Sequence, residues 1–227
     1  MLVVGYGTAW GAGSFAAMGG LFVTLEGIDR SGKSTQAAML VEALGDTAIG
    51  VREPGGTAVG ERVRELLKDP DVTVSAEAEA LLFAAARAEL VNEVIRPALA
   101  DGLVVVSDRY LDSSLAYQGA ARGLGVQEVE RVNGFATRGL APDLTLLLEL
   151  DLAAAAARRA EDDRFEREGA ELQRSVAQAY VELALANPQR WRRIDAGRDP
   201  DAVHADVLAA VQRALSETGR QVSAGAP

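Results

Sequence analysis

The sequence predicts an α/β fold in which a five-stranded parallel sheet carries helices on both faces. Three observations lead to this class. Five short, β-favouring apolar runs alternate with longer segments of helical periodicity, as in α/β proteins. The runs are continuously apolar, which is typical of strands buried on both faces. Hydrophobic residues make up 48% of the 227, enough for one substantial core.

The predicted strands and helices alternate along the chain. The strands are predicted at 21–26, 47–52, 103–108, 144–150 and 190–195. The helices are predicted at 34–44, 59–67, 76–100, 126–138, 153–159, 166–186 and 200–215. Right-handed crossovers join such strands, so we expect ligands to bind beyond the carboxyl ends of the sheet.

One domain, residues 19–216, accounts for these elements, and a segment flanks it on each side. Residues 1–18 carry no charge and several glycines, which fits neither a secretory signal nor a membrane-spanning helix. We expect this extension to be disordered or dispensable. The tail at 217–227 is small and polar, and we expect it to be flexible. The protein is therefore expected to be cytoplasmic, without a membrane partner.

Charge and composition exclude several classes of function. The 33 acidic residues outnumber the 23 Lys and Arg, and the net charge of −10 opposes nucleic acid as a partner. Cysteine is absent, which excludes disulfides, thiolate zinc sites and cysteine nucleophiles. The only histidine, His204, is expected at the surface or core edge of the last helix. A histidine-based catalytic triad is therefore excluded.

The stretch GIDRSGKST, residues 27–35, fits the spacing G-x-x-x-x-G-K-[ST] of a phosphate-binding loop, or P-loop. A flexible turn that matches by chance is the alternative. Because the stretch leaves a predicted strand and opens a helix, its N–H groups and the helix N-terminus both favour phosphate. The residues predicted to bind ATP are Gly27, Ile28, Asp29, Arg30, Ser31, Gly32, Lys33, Ser34 and Thr35.

A second element of a nucleotide site is LVVVSDR, a buried strand that ends in Asp108. An acid there can hold Mg²⁺ directly or through water, together with the hydroxyl of Ser34. A surface ion pair between Asp108 and Arg109 is the alternative. With the loop, this element predicts a fold of the P-loop NTPase type.

Two classes of P-loop protein then compete. A switch GTPase requires a guanine-specifying N-K-x-D, but lysine follows none of Asn92, Asn133 and Asn187. A kinase instead requires a second pocket for an anion and a base. Several arginines at predicted strand ends and helix starts can supply that pocket, so the sequence favours a kinase.

Five segments that occur in order resemble the thymidylate kinase family. They are TLEGIDRSGKSTQ, VREPGGT, LLFAAARAE, VVSDRYLDSSLAYQG and DRFE, and the resemblance covers residues 21–215. It implies transfer of the γ-phosphoryl group of ATP to dTMP with Mg²⁺, and a homodimer with the 76–100 helix as a candidate interface. A nucleoside monophosphate kinase of broader specificity is the runner-up.

The resemblance also implies which residues bind dTMP. Phe83 stacks on thymine, and Arg87 hydrogen-bonds the edge of thymine. Their i, i+4 spacing places both residues on one helix face. The alternative is a core phenylalanine beside a solvated arginine, which has the same spacing. Arg109 and Arg52 grip the phosphate with planar guanidinium groups. The base pocket and sugar contacts are completed by Ser114, Gln118 and Tyr117, with Tyr117 placed where a ribose 2′-hydroxyl would lie.

Other residues receive roles in catalysis. Lys33 and Arg109 neutralise and hold the phosphates, while Asp29 accepts from the deoxyribose 3′-hydroxyl or helps hold Mg²⁺. Arg30 lies in the middle of the P-loop, where the resemblance implies contact with the γ-phosphoryl group. The alternatives for Arg30 are solvent or an acidic residue of a lid near 153–168, which would itself supply Arg164 as a catalytic cation.

Overall fold

A computed structural model describes residues 19–158 and 169–219. Its strands are β1 Leu21–Glu26, β2 Ala48–Arg52, β3 Val104–Asp108, β4 Leu144–Glu149 and β5 Trp191–Asp195. Its α-helices are α1 Lys33–Leu44, α2 Ala58–Lys68, α3 Ala76–Leu90, α4 Arg96–Ala100, α5 Leu111–Ser114, α6 Val126–Thr137, α7 Leu152–Ala157, α8 Gly169–Ala186 and α9 Pro200–Thr218. Short helical segments of other pitch lie at Gly45–Thr47, Val91–Ile95 and Leu115–Ala121.

The five strands form one parallel sheet in the order β2-β3-β1-β4-β5. The predicted fold class is confirmed, and every predicted strand is present with bounds that differ by at most one residue. β1 is the central strand and is buried along its whole length. The loop that follows β1 therefore lies at the middle of the carboxyl edge, where ligands of open α/β sheets bind.

Helices cover both faces of the sheet. On one face, alternate residues of the strands, such as Val23 and Val106, pack with Leu40 of α1 and Val207 of α9. On the other face, the alternating positions pack against α3, α6 and α8. The described residues contain no helix with the length and apolar character needed to cross a membrane.

Two helical features differ from the expectation. The predicted 76–100 helix is present, but it widens into a π-helical turn at Val91–Ile95 between α3 and α4. After β3, α5 and the π-helical segment Leu115–Ala121 form a helical stretch that the sequence did not predict. Its buried polar residues, including Asp112 and Ser113, break the apolar periodicity by which a helix is recognised.

Three predicted features lie wholly or partly outside the described residues. They are the extension at 1–18, the lid with Arg164, and the end of the tail.

Candidate active site

The P-loop between β1 and α1 holds its lysine inside the protein. Lys33 is buried, and its Nζ donates to the carbonyl oxygen of Ile28 at 2.7 Å and to Ser31 Oγ at 3.3 Å. Burial, followed by the charge of Arg109, lowers the pKa of Lys33 to about 8. Within residues 19–158 and 169–219, the ammonium bonds to neutral oxygens alone, so an anionic phosphate would be a stronger partner.

The backbone of the P-loop is tightly confined. Gly27 has φ of +143°, and a Cβ there would lie 2.6 Å from the carbonyl oxygen of Leu148. Arg30 has φ of +63°, a backbone conformation that residues other than glycine rarely adopt. Its carbonyl oxygen accepts from Arg158 Nη1 at 2.8 Å, while Nη2 of Arg158 donates to the carbonyl oxygen of Ala196 at 3.2 Å. Arg158 thereby fastens the loop to the segment after β5.

Two residues suited to Mg²⁺ lie side by side. Ser34 Oγ donates to Asp108 Oδ2 at 2.5 Å, which joins the start of α1 to the end of β3. The described residues hold no group of three or more His, Cys, Asp or Glu suited to a metal ion. Mg²⁺ commonly takes one or two protein oxygens and completes its shell with phosphate oxygens and water. Ser34 and Asp108 fit that donor set.

Arg109 lies between the P-loop and the helical stretch after β3. Its Nη1 donates to the carbonyl oxygen of Gly27 at 3.2 Å and to the hydroxyls of Ser113 and Tyr180 at 3.1 and 3.4 Å. Its Nη2 forms an ion pair with Asp29. The residue has φ of +72°, which turns the chain sharply at the end of β3. The guanidinium is thus placed at the carboxyl end of β1, beside the lysine.

Asp29 is engaged on both carboxylate oxygens. Oδ1 pairs with Arg109, and Oδ2 accepts from Gln173 Nε2 of α8 at 2.6 Å. Burial raises the pKa of Asp29, but Arg109 and Lys33 outweigh burial and hold the pKa below its usual value. Asp29 is therefore a carboxylate on the Arg109 side of the P-loop, and its role as a metal ligand stays a prediction.

Arg87 is a buried cation, with only 1% of the residue exposed. Its Nε donates to Glu53 at 2.8 Å, Nη2 to the carbonyl oxygen of Tyr110 at 3.0 Å, and Nη1 to Ser114 Oγ at 3.1 Å and to Asn133 Oδ1. Its guanidinium carbon also lies 5.4 Å from the centre of the Tyr110 ring. Arg87 is held in one orientation by partners on several elements.

Gln118, Tyr117 and Phe83 line the same cavity as Arg87. Gln118 Nε2 donates to buried Glu79 at 2.8 Å, and Glu79 also pairs with Arg122. The Tyr117 ring centre lies 5.2 Å from the guanidinium carbon of Arg109. Burial is the main cause that raises the pKa of Tyr117, so its hydroxyl stays protonated at neutral pH. Phe83 is half-buried.

Arg52 sits at the end of β2 on the more open side of the site. Its Nη2 contacts both carboxylate oxygens of Glu61 at 3.1 Å, and Glu61 also accepts from the Gly56 amide at 2.8 Å. The hydrogen bond from the Gly56 N–H, followed by that from Arg52, lowers the pKa of Glu61 below its usual value. Arg52 is about half exposed, which leaves its guanidinium accessible to an anion.

One cavity of about 850 Å³ connects these groups. The predicted site residues that line it are Asp29, Arg30, Lys33, Ser34, Arg52, Phe83, Arg87, Asp108, Arg109, Ser114, Tyr117 and Gln118. The cavity therefore joins the P-loop and the Ser34–Asp108 pair to the predicted acceptor pocket.

Comparison with known proteins agrees with this geometry. The family model for thymidylate kinase matches residues 25–207. The chain belongs to the thymidylate kinase family. Members of this family are nucleoside monophosphate kinases, so the kinase prediction is confirmed over the switch GTPase.

Individual thymidylate kinases match most of the chain. A thymidylate kinase of Desulforudis audaxviator is 47% identical over 207 residues, covering 88% of this chain and 94% of the relative. One of Deinococcus radiodurans is 48% identical over 198 residues, covering 85% and 96%. The crystal structure of thymidylate kinase from Ehrlichia chaffeensis aligns with a TM-score of 0.72 at 31% identity, covering 85% of this chain and 98% of that one.

Sequence reasoning missed several polar residues behind the thymidylate kinase site. Glu26, Glu53 and Glu79 are buried acids that bond to predicted site residues or their neighbours. Asn133 and Gln173 reach the site from α6 and α8. For Glu26 and Glu53 a signal existed, because a charged residue within or beside a predicted strand needs a partner when it is buried. Glu79 lies on α3, where the sequence offered no such signal. For the amides, the partners lie too far away in sequence to be recognised.

Proposed function

We propose that the protein transfers the γ-phosphoryl group of ATP to dTMP in the presence of Mg²⁺, giving dTDP for dTTP synthesis. The single observation that carries the proposal is the continuous cavity that joins the P-loop to the pocket containing Phe83, Arg87 and Gln118. A phosphoryl transferase requires a donor and an acceptor in line within one enclosed space. The curated relatives named thymidylate kinase support dTMP as that acceptor.

The P-loop is proposed to hold the donor. On ATP binding, the ammonium of Lys33 exchanges the Ile28 carbonyl oxygen for phosphate oxygens. Ser34 and Asp108 would hold Mg²⁺, whose charge neutralises the phosphates during transfer. Arg30 lines the same cavity, and we propose that it contacts the transferred group.

The acceptor phosphate is proposed to bind between Arg109 and Arg52, which both line the cavity. A planar guanidinium presents paired N–H groups to phosphate oxygens. The acceptor is a phosphate monoester that is largely ionised at neutral pH, so the protein needs no general base. The work left to the side chains is positioning and charge stabilisation.

The base is proposed to bind against Phe83 with its polar edge toward Arg87 and Gln118. Arg87 is fixed by Glu53 and Ser114, and Gln118 is fixed by Glu79. A pocket whose polar side chains are held in one orientation discriminates against a base that does not match it, because polar groups of that base would then be buried without a partner. This arrangement favours one base over a broad acceptor range.

A panel assay tests this proposal. ADP release would be measured with ATP, Mg²⁺ and dTMP, CMP or AMP at equal concentration. We expect kcat/KM for dTMP to exceed that for the others by about 10² or more. Equal turnover of the three would contradict the narrow assignment and support a nucleoside monophosphate kinase of broader specificity. If none of the three supported ADP release, both the narrow and the broader assignment would be contradicted.

A homodimer is also proposed, with α3 and the neighbouring α6 as its interface. Leu81 of α3 is 58% exposed and Phe135 of α6 is 88% exposed, so these neighbouring helices present large apolar side chains that a partner could cover. Sedimentation of the parent should give a dimer, and Phe135→Glu should shift it toward monomer. Val59→Glu on α2, which changes another exposed apolar residue, is the matched control. A monomeric parent would contradict the proposal.

A further inference from the structure

Glu26 is a fully buried acid at the end of β1, directly before the P-loop. Its Oε1 accepts from the amide of Tyr110 at 2.8 Å. Its Oε2 accepts from Ser113 Oγ at 2.6 Å and from the Tyr180 hydroxyl at 2.8 Å. The carboxylate therefore joins the central strand to the segment after β3 and to α8.

The two hydroxyls that bond to Glu26 also contact Arg109. Arg109 Nη1 lies 3.1 Å from Ser113 Oγ and 3.4 Å from the Tyr180 hydroxyl, which are 2.8 Å from each other. A hydroxyl has one proton, and a guanidinium can only donate. Because ionised Glu26 can only accept, both hydroxyl protons point toward Glu26 or toward the other hydroxyl. Arg109 then faces lone pairs alone.

We propose that Glu26 is a positioning residue for Arg109: by fixing the proton directions of Ser113 and Tyr180, it sets the guanidinium for the phosphate of the acceptor. The inference rests on the proposed function, in which Arg109 binds that phosphate. Glu26 is fully buried and lies behind Arg109, so it acts through the two hydroxyls.

The isosteric variant Glu26→Gln separates hydrogen-bond direction from side-chain shape. The Tyr110 amide requires an acceptor, so the carboxamide oxygen takes the position of Oε1 and the NH₂ group takes that of Oε2. The NH₂ group donates to the hydroxyls, and only one hydroxyl proton can point to the other hydroxyl. The second is left facing the guanidinium, where donor opposes donor.

Charged groups surround Glu26 on several sides. They are Asp112, Arg109, Lys33 of α1 and Arg190 before β5, with the Tyr180 hydroxyl on α8. Burial, followed by the charge of Asp112, raises the pKa of Glu26 to about 7. Below that pH the carboxyl group carries a proton, which adds a donor as the glutamine does.

The first test compares binding and kinetics of Glu26→Gln with the parent. We expect the Kd and KM for dTMP to rise about tenfold or more, while the KM for ATP changes by less than about twofold. Glu182→Gln, the same substitution at an exposed site on α8, should change neither constant. A dTMP Kd within about twofold of the parent, or an equal rise for ATP and dTMP, would overturn the inference.

A second test asks whether the effect passes through the hydroxyls. In a Ser113→Ala/Tyr180→Phe background, Glu26→Gln should change the dTMP Kd by less than about threefold, because no hydroxyl proton remains to be redirected. An undiminished effect in this background would overturn the inference. The design also gives a result if Glu26→Gln alone folds poorly, because the loss of both hydroxyls should by itself weaken dTMP binding and leave ATP binding unchanged.

The pH dependence supplies the last readout. As pH falls through about 7, the parent should approach Glu26→Gln, so the ratio of their dTMP Kd values should fall toward one. The dTMP phosphate titrates near 6, but equally for both proteins, so it cancels from the ratio. A ratio that is constant between about pH 6 and 8 would overturn the inference. A parent that binds dTMP without turning it over would contradict the proposed function instead, and the Kd comparisons would still decide the role of Glu26.

Discussion

The Ser34 hydroxyl donates to Asp108 Oδ2 at 2.5 Å, across 74 residues of sequence. Ser34 is the second residue of α1, and Asp108 is the last residue of the neighbouring strand β3. Parallel pairing of β1 with β3 places their carboxyl ends together. The sheet topology therefore places the two oxygens that are proposed to hold Mg²⁺ side by side before any ligand binds, which would lower the reorganisation needed for metal binding.

Asp108→Asn should remove the charge of this pair while keeping an acceptor for Ser34. We expect kcat to fall by about 10² or more at low Mg²⁺, with partial recovery as Mg²⁺ rises, because the amide is a weaker metal ligand than the carboxylate. The measurement is kcat as a function of Mg²⁺ concentration. Asp101→Asn, an exposed site just after α4, is the control. An unchanged Mg²⁺ dependence in Asp108→Asn would contradict the assignment.

Asn133→Ala should weaken both stability and dTMP binding, although Asn133 was not a predicted site residue. The variant removes one acceptor of buried Arg87, and a buried donor left unpaired costs about 1–3 kcal/mol in free energy of unfolding. Without this partner the Arg87 guanidinium is less firmly oriented, so the KM for dTMP should also rise. Denaturant unfolding and steady-state kinetics measure the two effects. Asn92→Ala, at an exposed position of the π-helical turn, should change neither.

The sequence predicted β1, β3 and β4 well because each is a continuous apolar run that is buried on both faces. The expectation of continuous burial was wrong for β2 and β5, which are the edge strands of the sheet and are only partly buried. The P-loop was predicted for a related reason, since its chemistry lies within nine consecutive residues. The helical stretch after β3 was not predicted, because its stability does not depend on local composition. Asp112 pairs there with Arg190 and Ser113 with Glu26, so the residues that make a polar helix possible lie far away in sequence.

The candidate site shows the same division. The motifs identified the side chains that face the cavity, because these side chains lie close together within short segments of sequence. They did not name the residues behind them, such as Glu26, Glu53 and Asn133. Glu26 and Glu53 lie within matched segments, but the partners that give all three residues a role belong to other elements and are recognised only once those elements have packed.

Tyr117 should determine selection of deoxyribose over ribose. Its buried ring lies beside Arg109, so an added 2′-hydroxyl would meet an aromatic surface and lose part of its hydration. Tyr117→Phe keeps that surface and should keep most of the selectivity, whereas Tyr117→Ala should lose it. The measurement is kcat/KM for dTMP relative to its ribose analogue. An alanine variant as selective as the parent would contradict the role of the ring.

Arg30→Gly should lower activity without lowering stability. The residue has φ of +63°, where glycine is favoured over side chains with a Cβ, so the substitution relieves backbone strain of about 1 kcal/mol. If the guanidinium stabilises the transferring phosphoryl group, kcat should fall by about 10² or more, with a smaller change in ATP binding. Arg30→Lys should recover part of the loss, because an ammonium keeps the charge but not the planar fork.

Arg138→Gly is the matched control for this variant. Arg138 also has positive φ, at +49°, but lies at the end of α6 and faces solvent. Both variants should gain or keep stability in denaturant unfolding, and only Arg30→Gly should lose kcat. A second comparison, with Arg164→Ala alone and combined with Arg30→Gly, asks whether a lid arginine shares the work. A kcat for Arg30→Gly within about twofold of the parent at saturating ATP and dTMP would contradict a transition-state role and assign the catalytic cation to the lid.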